Sequence, residues 1–147
     1  NFAGEYDRRL QPKERVAAVT VGGVDLAFPF STLEQERGVN YSDGQQDIVV
    51  LFKPGTVSAL GRVLIYDSKD VGSTGVFKAD IDGHRLTFRL QGEEFVDDQT
   101  GSVWNIFGEA TNGPLAGSQL TPIVHGNHFW FAWGAFKPNT LIYQGAT

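Results

Sequence analysis

The most distinctive part of this chain runs from Thr100 to Phe136 and reads TGSVWNIFGEATNGPLAGSQLTPIVHGNHFWFAWGAF. It contains all three tryptophans and two of the three histidines of the chain. Glycines flank the Pro114-Leu115-Ala116 sequence near its centre, which is typical of tight turns. These features predict a turn-rich region that ends in an aromatic segment.

The aromatic segment Phe129–Phe136 is predicted to form two helical turns that stop before Pro138. At helical spacing, three of its rings share one face: Phe129, Trp133 and Phe136. We interpret this face as a plug for an open end of a sheet, since burial of one such ring contributes roughly 1.5–3 kcal/mol.

Trp130 and Phe131 point away from that face in a helix, so we expect these two side chains to contact a ligand or partner. A protein interface or a membrane surface would suit both rings. Stacking of Trp130 on a carbohydrate or a pigment is an alternative.

His125 and His128 are the candidates for a metal site, because imidazoles three residues apart on a turn or a helix can bind one ion. Such a site needs a third ligand, and the sequence offers His84, Asp97, Asp98 and Glu109 without bringing any of them close. The other interpretation is that both histidines anchor the loop through backbone hydrogen bonds. We favour the anchoring role and predict no cofactor, with a bound metal ion as the alternative.

Four carboxylates precede the quoted stretch: Glu93, Glu94, Asp97 and Asp98. Their spacing suits neither an acid–base pair for hydrolysis nor a calcium loop. We interpret them as a solvated strand edge, with Asp98 capping the turn that follows.

The loop Lys53–Ser58 can contact an anionic ligand through the side chains of Lys53, Thr56 and Ser58. It has no GKS/T phosphate-loop pattern. The chain has no GxSxG nucleophile elbow, so no catalytic residue is predicted and we lean away from an enzyme.

Strand-like segments alternate with turn signals along the rest of the chain. Val16–Val21 and Val24–Phe30 flank a Gly-Gly turn, and His84–Leu90 follows an Asp-Gly turn with Leu86, Phe88 and Leu90 on its buried face. Residues 48–52 are continuously apolar, which indicates a central strand covered on both faces. The sequence Ser31–Glu36 has a capping-box spelling and predicts a short helix that ends before Gly38.

These patterns predict a mostly β, single-domain fold: an antiparallel or mixed β sandwich or barrel-like structure with one or two short helices. We expect residues 1–14 to form an N-terminal arm that packs through Phe2, Tyr6 and Leu10, and residues 15–147 to form the β domain.

Composition narrows the classes of partner. A length of 147 residues suits one domain with a sizeable core. The net charge of −5 argues against a nucleic-acid partner, because phosphate binding needs a basic face. The chain has no cysteine, which excludes disulfides and thiolate metal sites, and no apolar run long enough to span a bilayer. The opening at Asn1 suggests a processed or truncated product that a signal peptide or an anchor preceded.

The motifs of the quoted stretch resemble those of the DUF3179 family. Three blocks carry the resemblance: TGSxW from Thr100 to Trp104, GPLAG from Gly113 to Gly117, and HGxHFWFAW from His125 to Trp133. Looser similarity covers nearly the whole chain. Many members carry a Cys-x-x-C pair, and its two positions fall on Lys53 and Thr56 here, so this chain lacks any chemistry that depends on those thiols.

The resemblance implies an extracytoplasmic protein, in the periplasm or at the cell surface. Packing motifs without the thiol pair favour a non-catalytic binding or structural module, such as an accessory subunit of a larger envelope or membrane-associated assembly, with protein partners. The alternative is a metal-binding protein or a metal-dependent enzyme that uses His125 and His128.

Overall fold

The structure is a computed structural model that describes residues 2–3, 10–55, 58–60, 63–65 and 72–146. Its helices are α1 (Phe30–Glu36) and α2 (Trp130–Phe136). Its strands are, in chain order, β1 (Phe2–Ala3), β2 (Arg15–Val21), β3 (Val24–Pro29), β4 (Gly38–Ser42), β5 (Asp47–Lys53), β6 (Ser58–Leu60), β7 (Val63–Ile65), β8 (Ser73–Lys78), β9 (Asp80–Ile81), β10 (His84–Arg85), β11 (Phe88–Gln91), β12 (Glu94–Asp97), β13 (Val103–Trp104), β14 (Ala110–Asn112), β15 (His125–Phe129) and β16 (Leu141–Tyr143).

The first sheet has five strands in the order β1-β16-β3-β2-β15. The β2–β3 hairpin turns at Gly22 and Gly23, whose φ values of 57° and 79° are strained for other residues. β16 runs parallel to β3, whereas the other pairs are antiparallel. The sheet is therefore mixed, and β1 joins the start of the chain to it.

The second sheet has three strands in the order β4-β5-β8. Its centre is β5, whose residues from Ile48 to Phe52 are all buried. Successive side chains of a strand point to opposite faces. Ile48, Val50 and Phe52 accordingly pack towards the five-stranded sheet, and Val49 and Leu51 pack the other way. The prediction of a central strand covered on both faces is confirmed.

The third sheet has four strands in the order β11-β12-β13-β14 and covers the far face of β5. Phe88 and Trp104 meet edge to face in this layer, with ring centroids 5.6 Å apart. Two short antiparallel strand pairs complete the fold: β9 pairs with β10, and β6 pairs with β7. The described part of the chain thus stacks three sheets, and α2 packs on the outer face of the first through Trp130.

The predicted mostly β fold with two short helices is confirmed, and the described strands form no closed barrel. The hairpin at Asp82-Gly83 is present, but its strands β9 and β10 have only two residues each. Leu86 and Phe88 are buried as predicted, whereas Leu90, one residue before the end of β11, is 37% exposed.

The helix α1 forms where the capping box was predicted, but the cap is different. Pro29 is its N-cap, and Ser31 lies inside the helix, where its hydroxyl donates a hydrogen bond to the Glu14 carboxylate. The chain leaves the helix at Arg37, one residue before Gly38, with a φ of 62° at Arg37. A non-glycine residue in this conformation costs of the order of 1–3 kcal/mol.

The N-terminal segment before β2 forms hydrogen bonds with the first turn of α2. The amides of Trp130 and Phe131 donate to the carbonyls of Glu14 and Pro12, at 2.8 and 2.9 Å. First-turn amides have no acceptor within their own helix, so these contacts satisfy two of them. Of the predicted arm contacts, Leu10 packs beside Trp130 and Tyr6 lies outside the described residues. Neither described helix has the length and apolarity needed to cross a bilayer.

Candidate functional site

The motif Thr100–Trp104 is built around the carboxylate of Asp97, which is fully buried. The indole Nε1 of Trp104 donates to Oδ2 at 2.8 Å, and the Thr100 amide donates to Oδ1 at 2.6 Å. The Thr100 hydroxyl lies 2.9 Å from both carboxylate oxygens. The acidic run was therefore interpreted wrongly at this position: Asp97 is an internal acceptor, whereas Glu93 and Glu94 are exposed.

Hydroxyl groups extend this network to the Gly113–Gly117 turn. The Ser102 Oγ lies 2.7 Å from the Thr100 Oγ1, and the Leu115 amide donates to the Ser102 Oγ at 2.9 Å. A carboxylate only accepts and each hydroxyl has one hydrogen. The donors therefore run in one direction, from the Leu115 amide through Ser102 and Thr100 to Asp97.

Asp98 does not cap the turn, in contrast to the prediction. The turn is capped by Asp97, and the Asp98 carboxylate accepts hydrogen bonds from the Thr87 hydroxyl at 2.6 Å and from Arg89 at 2.7 Å. The Thr87 hydroxyl, followed by Arg89, holds the pKa of Asp98 below its ordinary value. Asp98 thus ties β11 to the turn after β12.

The two histidines of the aromatic block lie on β15, on neither a turn nor a helix. The register pairs His125 with Val19 and His128 with Val16, and these two valines belong to clusters on opposite faces of β2. The structure therefore does not aim the imidazoles at one point. Among the described residues, no group of three His, Cys, Asp or Glu side chains is placed to hold a metal ion.

His125 has a local partner on the second sheet. Its Nε2 lies 2.8 Å from the hydroxyl of Thr74, which also donates to Oδ1 of Asn127 at 2.9 Å. Burial lowers the pKa of the His125 imidazole, and the Ile123 carbonyl raises it by a smaller amount. This contact ties β15 to β8, so His125 anchors its strand through the Thr74 side chain as well as through the Ile123 carbonyl.

His128 lies on the other face, where its ring stacks on Trp133 with centroids 4.9 Å apart. Gly126 makes room for this ring, because a Cβ at position 126 would lie 2.6 Å from the His128 Nε2. The Trp133 indole in turn donates to the buried Thr140 hydroxyl at 2.9 Å. A groove of about 540 Å³ is lined by Gly126, His128 and Trp133, and His125 also borders it.

The buried face of α2 differs from the predicted one. Trp130 is 1% exposed and Gly134 is buried, whereas Phe129 and Phe136 are 38% and 70% exposed. The reason is that the helix begins at Trp130, which turns the i, i+4 pair Trp130 and Gly134 towards the sheet. Trp130 is thus a core residue and was wrongly assigned to a contact surface.

Phe131 is 52% exposed, as expected for a contact residue. Its ring stacks beside that of Phe129, with centroids 5.9 Å apart. The guanidinium of Arg15 lies 4.6 Å from the Phe129 ring, and the Lys137 ammonium lies 5.2 Å from the Phe136 ring. We call the exposed rings of Phe129, Phe131 and Phe136 the aromatic surface.

The predicted anion-binding loop is described only in part. Lys53 ends β5 and is exposed. Thr56 lies outside the described residues, and Ser58 is described in its backbone alone, as the first residue of β6. Lys53 lines a cleft together with Arg37 and Phe107, two residues that were not predicted from the sequence as site residues. Arg37 had no sequence signal, since the glycine beside it was the expected helix end.

A family model described as a protein of unknown function (DUF3179) matches residues 2–140. No curated protein and no solved structure matches the chain. Because the family match covers nearly the whole length, including the Asp97 network, both histidines and the aromatic surface, this chain belongs to the DUF3179 family.

Proposed function

We propose that this chain is a non-catalytic binding module that docks a protein neighbour through the aromatic surface, as an accessory subunit of an envelope or membrane-associated assembly. One observation carries the proposal: α2 and the residue before it hold three phenylalanines that are 38% to 70% exposed. Exposed clusters of large apolar rings mark interaction sites in folded domains.

The aromatic surface has the properties of an interface core. Stacking of Phe129 on Phe131 restrains both rings before a partner arrives, so little side-chain entropy is lost on binding. Phe136 adjoins Trp133, with ring centroids 6.2 Å apart, and Trp133 is held by its hydrogen bond to Thr140. Aromatic side chains presented on a fixed backbone are enriched among residues that dominate binding energy.

The charges beside these rings indicate the chemistry of the partner. Arg15 and Lys137 lie against two of the three rings, although the chain as a whole has a net charge of −5. A partner with an apolar patch and acidic residues at its rim would complement this surface, and opposite charge would speed association.

A non-catalytic role is supported by the contacts of the motif residues. The carboxylate of Asp97 and the hydroxyl of Ser102 are both fully buried and bonded to neighbouring residues of their own network. Groups held in this way stabilise the turn and are not presented to a substrate. The extracytoplasmic location rests on the family resemblance alone, and fractionation of source cells with an antibody against this chain would test it.

The partner is tested by isolating the native complex from source cells, identifying the neighbour and rebuilding the complex from purified components. Phe136→Ala and Phe131→Ala are expected to weaken binding at least about tenfold each, as residues at an interface centre do. Phe107→Ala is the matched control, because Phe107 is 69% exposed and lies away from α2.

Circular dichroism and thermal unfolding establish that the variants keep their fold. Equal affinity of wild-type protein, Phe136→Ala and Phe131→Ala for the purified neighbour would contradict the proposal. Binding to anionic lipid vesicles without any protein neighbour would also contradict it, since the rings would then serve a membrane surface.

A further inference from the structure

A cleft of about 330 Å³ opens where β5 ends beside the four-stranded sheet. Its lining includes two cations, Arg37 and Lys53, and two exposed apolar side chains, Leu90 and Phe107. No residue of β15 or α2 lines it. The cleft is therefore separate from the aromatic surface, and the inference drawn from it does not rest on the proposed partner.

Arg37 is fixed in an unfavourable backbone conformation at the wall of this cleft. Its φ is 62°, yet its amide donates to the Leu33 carbonyl at 2.8 Å and its carbonyl accepts from the Phe52 amide at 2.7 Å. Its Nε donates to the Glu34 carbonyl at 2.6 Å. Strained residues held in place by their surroundings cluster at ligand sites.

The guanidinium of Arg37 has no strong ionic partner in the described part of the chain. Its one salt bridge there is to Glu93, at 3.7 Å, and the Glu93 side chain is 87% exposed. Such a pair is weak in water. The Arg37 side chain itself is only 23% exposed, so its charge is better shielded from solvent than that of its partner. An anion in the cleft can replace Glu93 as its acceptor.

The apolar side of the cleft is presented on a fixed turn. The Phe107 amide donates to the Asn105 Oδ1 at 3.0 Å, which holds the turn that carries the ring. Phe107 is 69% exposed and Leu90 is 37% exposed. A ligand that covers these two side chains removes apolar surface from water, which favours binding.

We infer that this cleft binds a small amphipathic monoanion, whose carboxylate pairs with Arg37 and Lys53 and whose hydrocarbon part packs on Leu90 and Phe107. The ligand carries a single negative charge because Glu93 and Glu94 also line the cleft and repel a more highly charged group. Lys53, selected from the sequence as an anion contact, thereby acquires a partner in Arg37.

The test is a titration of the ¹⁵N-labelled protein with sodium octanoate, monitored through the NMR chemical shifts of the backbone amides. Octanol serves as the uncharged probe of equal chain length. Octanoate is expected to shift the amides of Phe52, Lys53 and Leu90 in a saturable manner, and octanol to bind at least about tenfold more weakly. Arg37→Gly and Lys53→Gln are each expected to weaken octanoate binding about tenfold, and Phe107→Ala about threefold or more.

Arg37→Gly retains the fold because glycine adopts a positive φ without strain. Lys53→Gln is a surface change at a strand end and gives a second, independent measure of the charge contact. Lys78→Gln and Val24→Ala are the controls, an exposed cation and an exposed apolar residue outside the cleft, and both are expected to bind octanoate as the wild type does.

Three results would each overturn the inference: no saturable shift up to about 10 mM octanoate, equal binding of octanoate and octanol, or undiminished binding by the folded Arg37→Gly and Lys53→Gln variants. Loss of octanoate binding with intact binding to the protein neighbour is the expected pattern for Lys53→Gln. The reverse pattern is expected for Phe136→Ala, so failure of either proposal is visible without the other.

Discussion

The indole of Trp104 donates a 2.8 Å hydrogen bond to the carboxylate of Asp97, seven residues earlier, and neither side chain is more than 2% exposed. The bond joins β12 to β13 inside the third sheet. A buried carboxylate is stable only when its acceptor positions are filled, and here Trp104 and Thr100 supply the donors. The acidic residue before TGSxW and the tryptophan at its end thus form one structural unit.

Asp97→Asn is expected to destabilise the protein by about 2–4 kcal/mol, because the amide NH₂ would face the Trp104 or the Thr100 donor and leave it unsatisfied. The free energy of unfolding in urea measures the effect. Asp98→Asn is the control, since Asp98 is exposed and its loss is expected to cost below about 1 kcal/mol. If both variants lose the same free energy of unfolding, the buried network of Asp97 contributes no more to stability than the exposed contacts of Asp98.

The stability costs of Gly113→Ala and Gly117→Ala distinguish the effect of backbone strain from the effect of a steric clash with Ser102, because both glycines lie in the same turn. The two φ values are similar, 95° and 91°, but a Cβ at position 113 would lie 2.7 Å from the Ser102 Cα, whereas a Cβ at position 117 would meet no atom of the described residues within 4 Å. Gly117→Ala is expected to cost about 1–2 kcal/mol from strain. Gly113→Ala is expected to cost about 1–3 kcal/mol more. Thermal unfolding measures both, and an equal shift in Tm would argue against contact between the motifs.

Trp130→Ala is expected to destabilise the protein by about 3–5 kcal/mol, because the ring fills the space between α2 and the first sheet. Phe131→Ala, the adjacent change at an exposed site, is expected to cost below about 1 kcal/mol. Urea denaturation compares the two variants. A larger loss of unfolding free energy for Phe131→Ala would mean that α2 buries Phe131 and not the face that carries Trp130 and Gly134.

The stability of the protein is expected to fall as the pH drops below about 6.5, because burial lowers the pKa of His125 in the folded state. Below this pH the unfolded chain binds a proton that the folded chain does not. The free energy of unfolding therefore decreases as the pH falls towards the folded-state pKa of His125. His125→Gln is expected to reduce this dependence while keeping a polar contact with Thr74.

Urea denaturation between about pH 8 and about pH 5 measures the dependence. His84→Gln changes an exposed histidine and serves as the control. If His125→Gln and the wild type show the same slope of unfolding free energy with pH, the imidazole does not contribute to it.

The local features of the sheets could be predicted from the sequence because they depend on short-range patterns. Five apolar residues in succession identified β5 as doubly covered, and the Gly22-Gly23 and Asp82-Gly83 pairs identified two hairpin turns. Neither signal needs knowledge of the neighbouring strands. The predicted end of α1 before Gly38 is correct, but the positive φ of Arg37 was not predicted, since the turn that passes through Arg37 is fixed by its hydrogen bond to Phe52 on β5.

The face of α2 could not be predicted, because helical spacing alone does not say where the helix begins. Residues 125–129 pair with β2 along their whole length, so the helix starts only at Trp130. A start at Phe129 would bury a different set of rings. The same pairing separates His125 from His128, which a turn would have brought together.

The site residues were predicted least well, since their environment depends on contacts between distant strands. Asp97 and Asp98 are adjacent acidic residues, yet one is fully buried and the other is exposed. The available signal was the position of these two carboxylates just before the TGSxW motif.

The contacts that the Pro12 and Glu14 carbonyls make with the first turn of α2 have a consequence for proteolysis. Lys13 lies between these two residues and is exposed, so trypsin can reach the peptide bond that follows it. A single cut there would detach one of the two acceptors from the strand that positions it. In the cleaved protein, the helix α2 that carries the aromatic rings would then unwind. The rate of trypsin cleavage at this bond therefore measures how firmly the segment before β2 is held against α2.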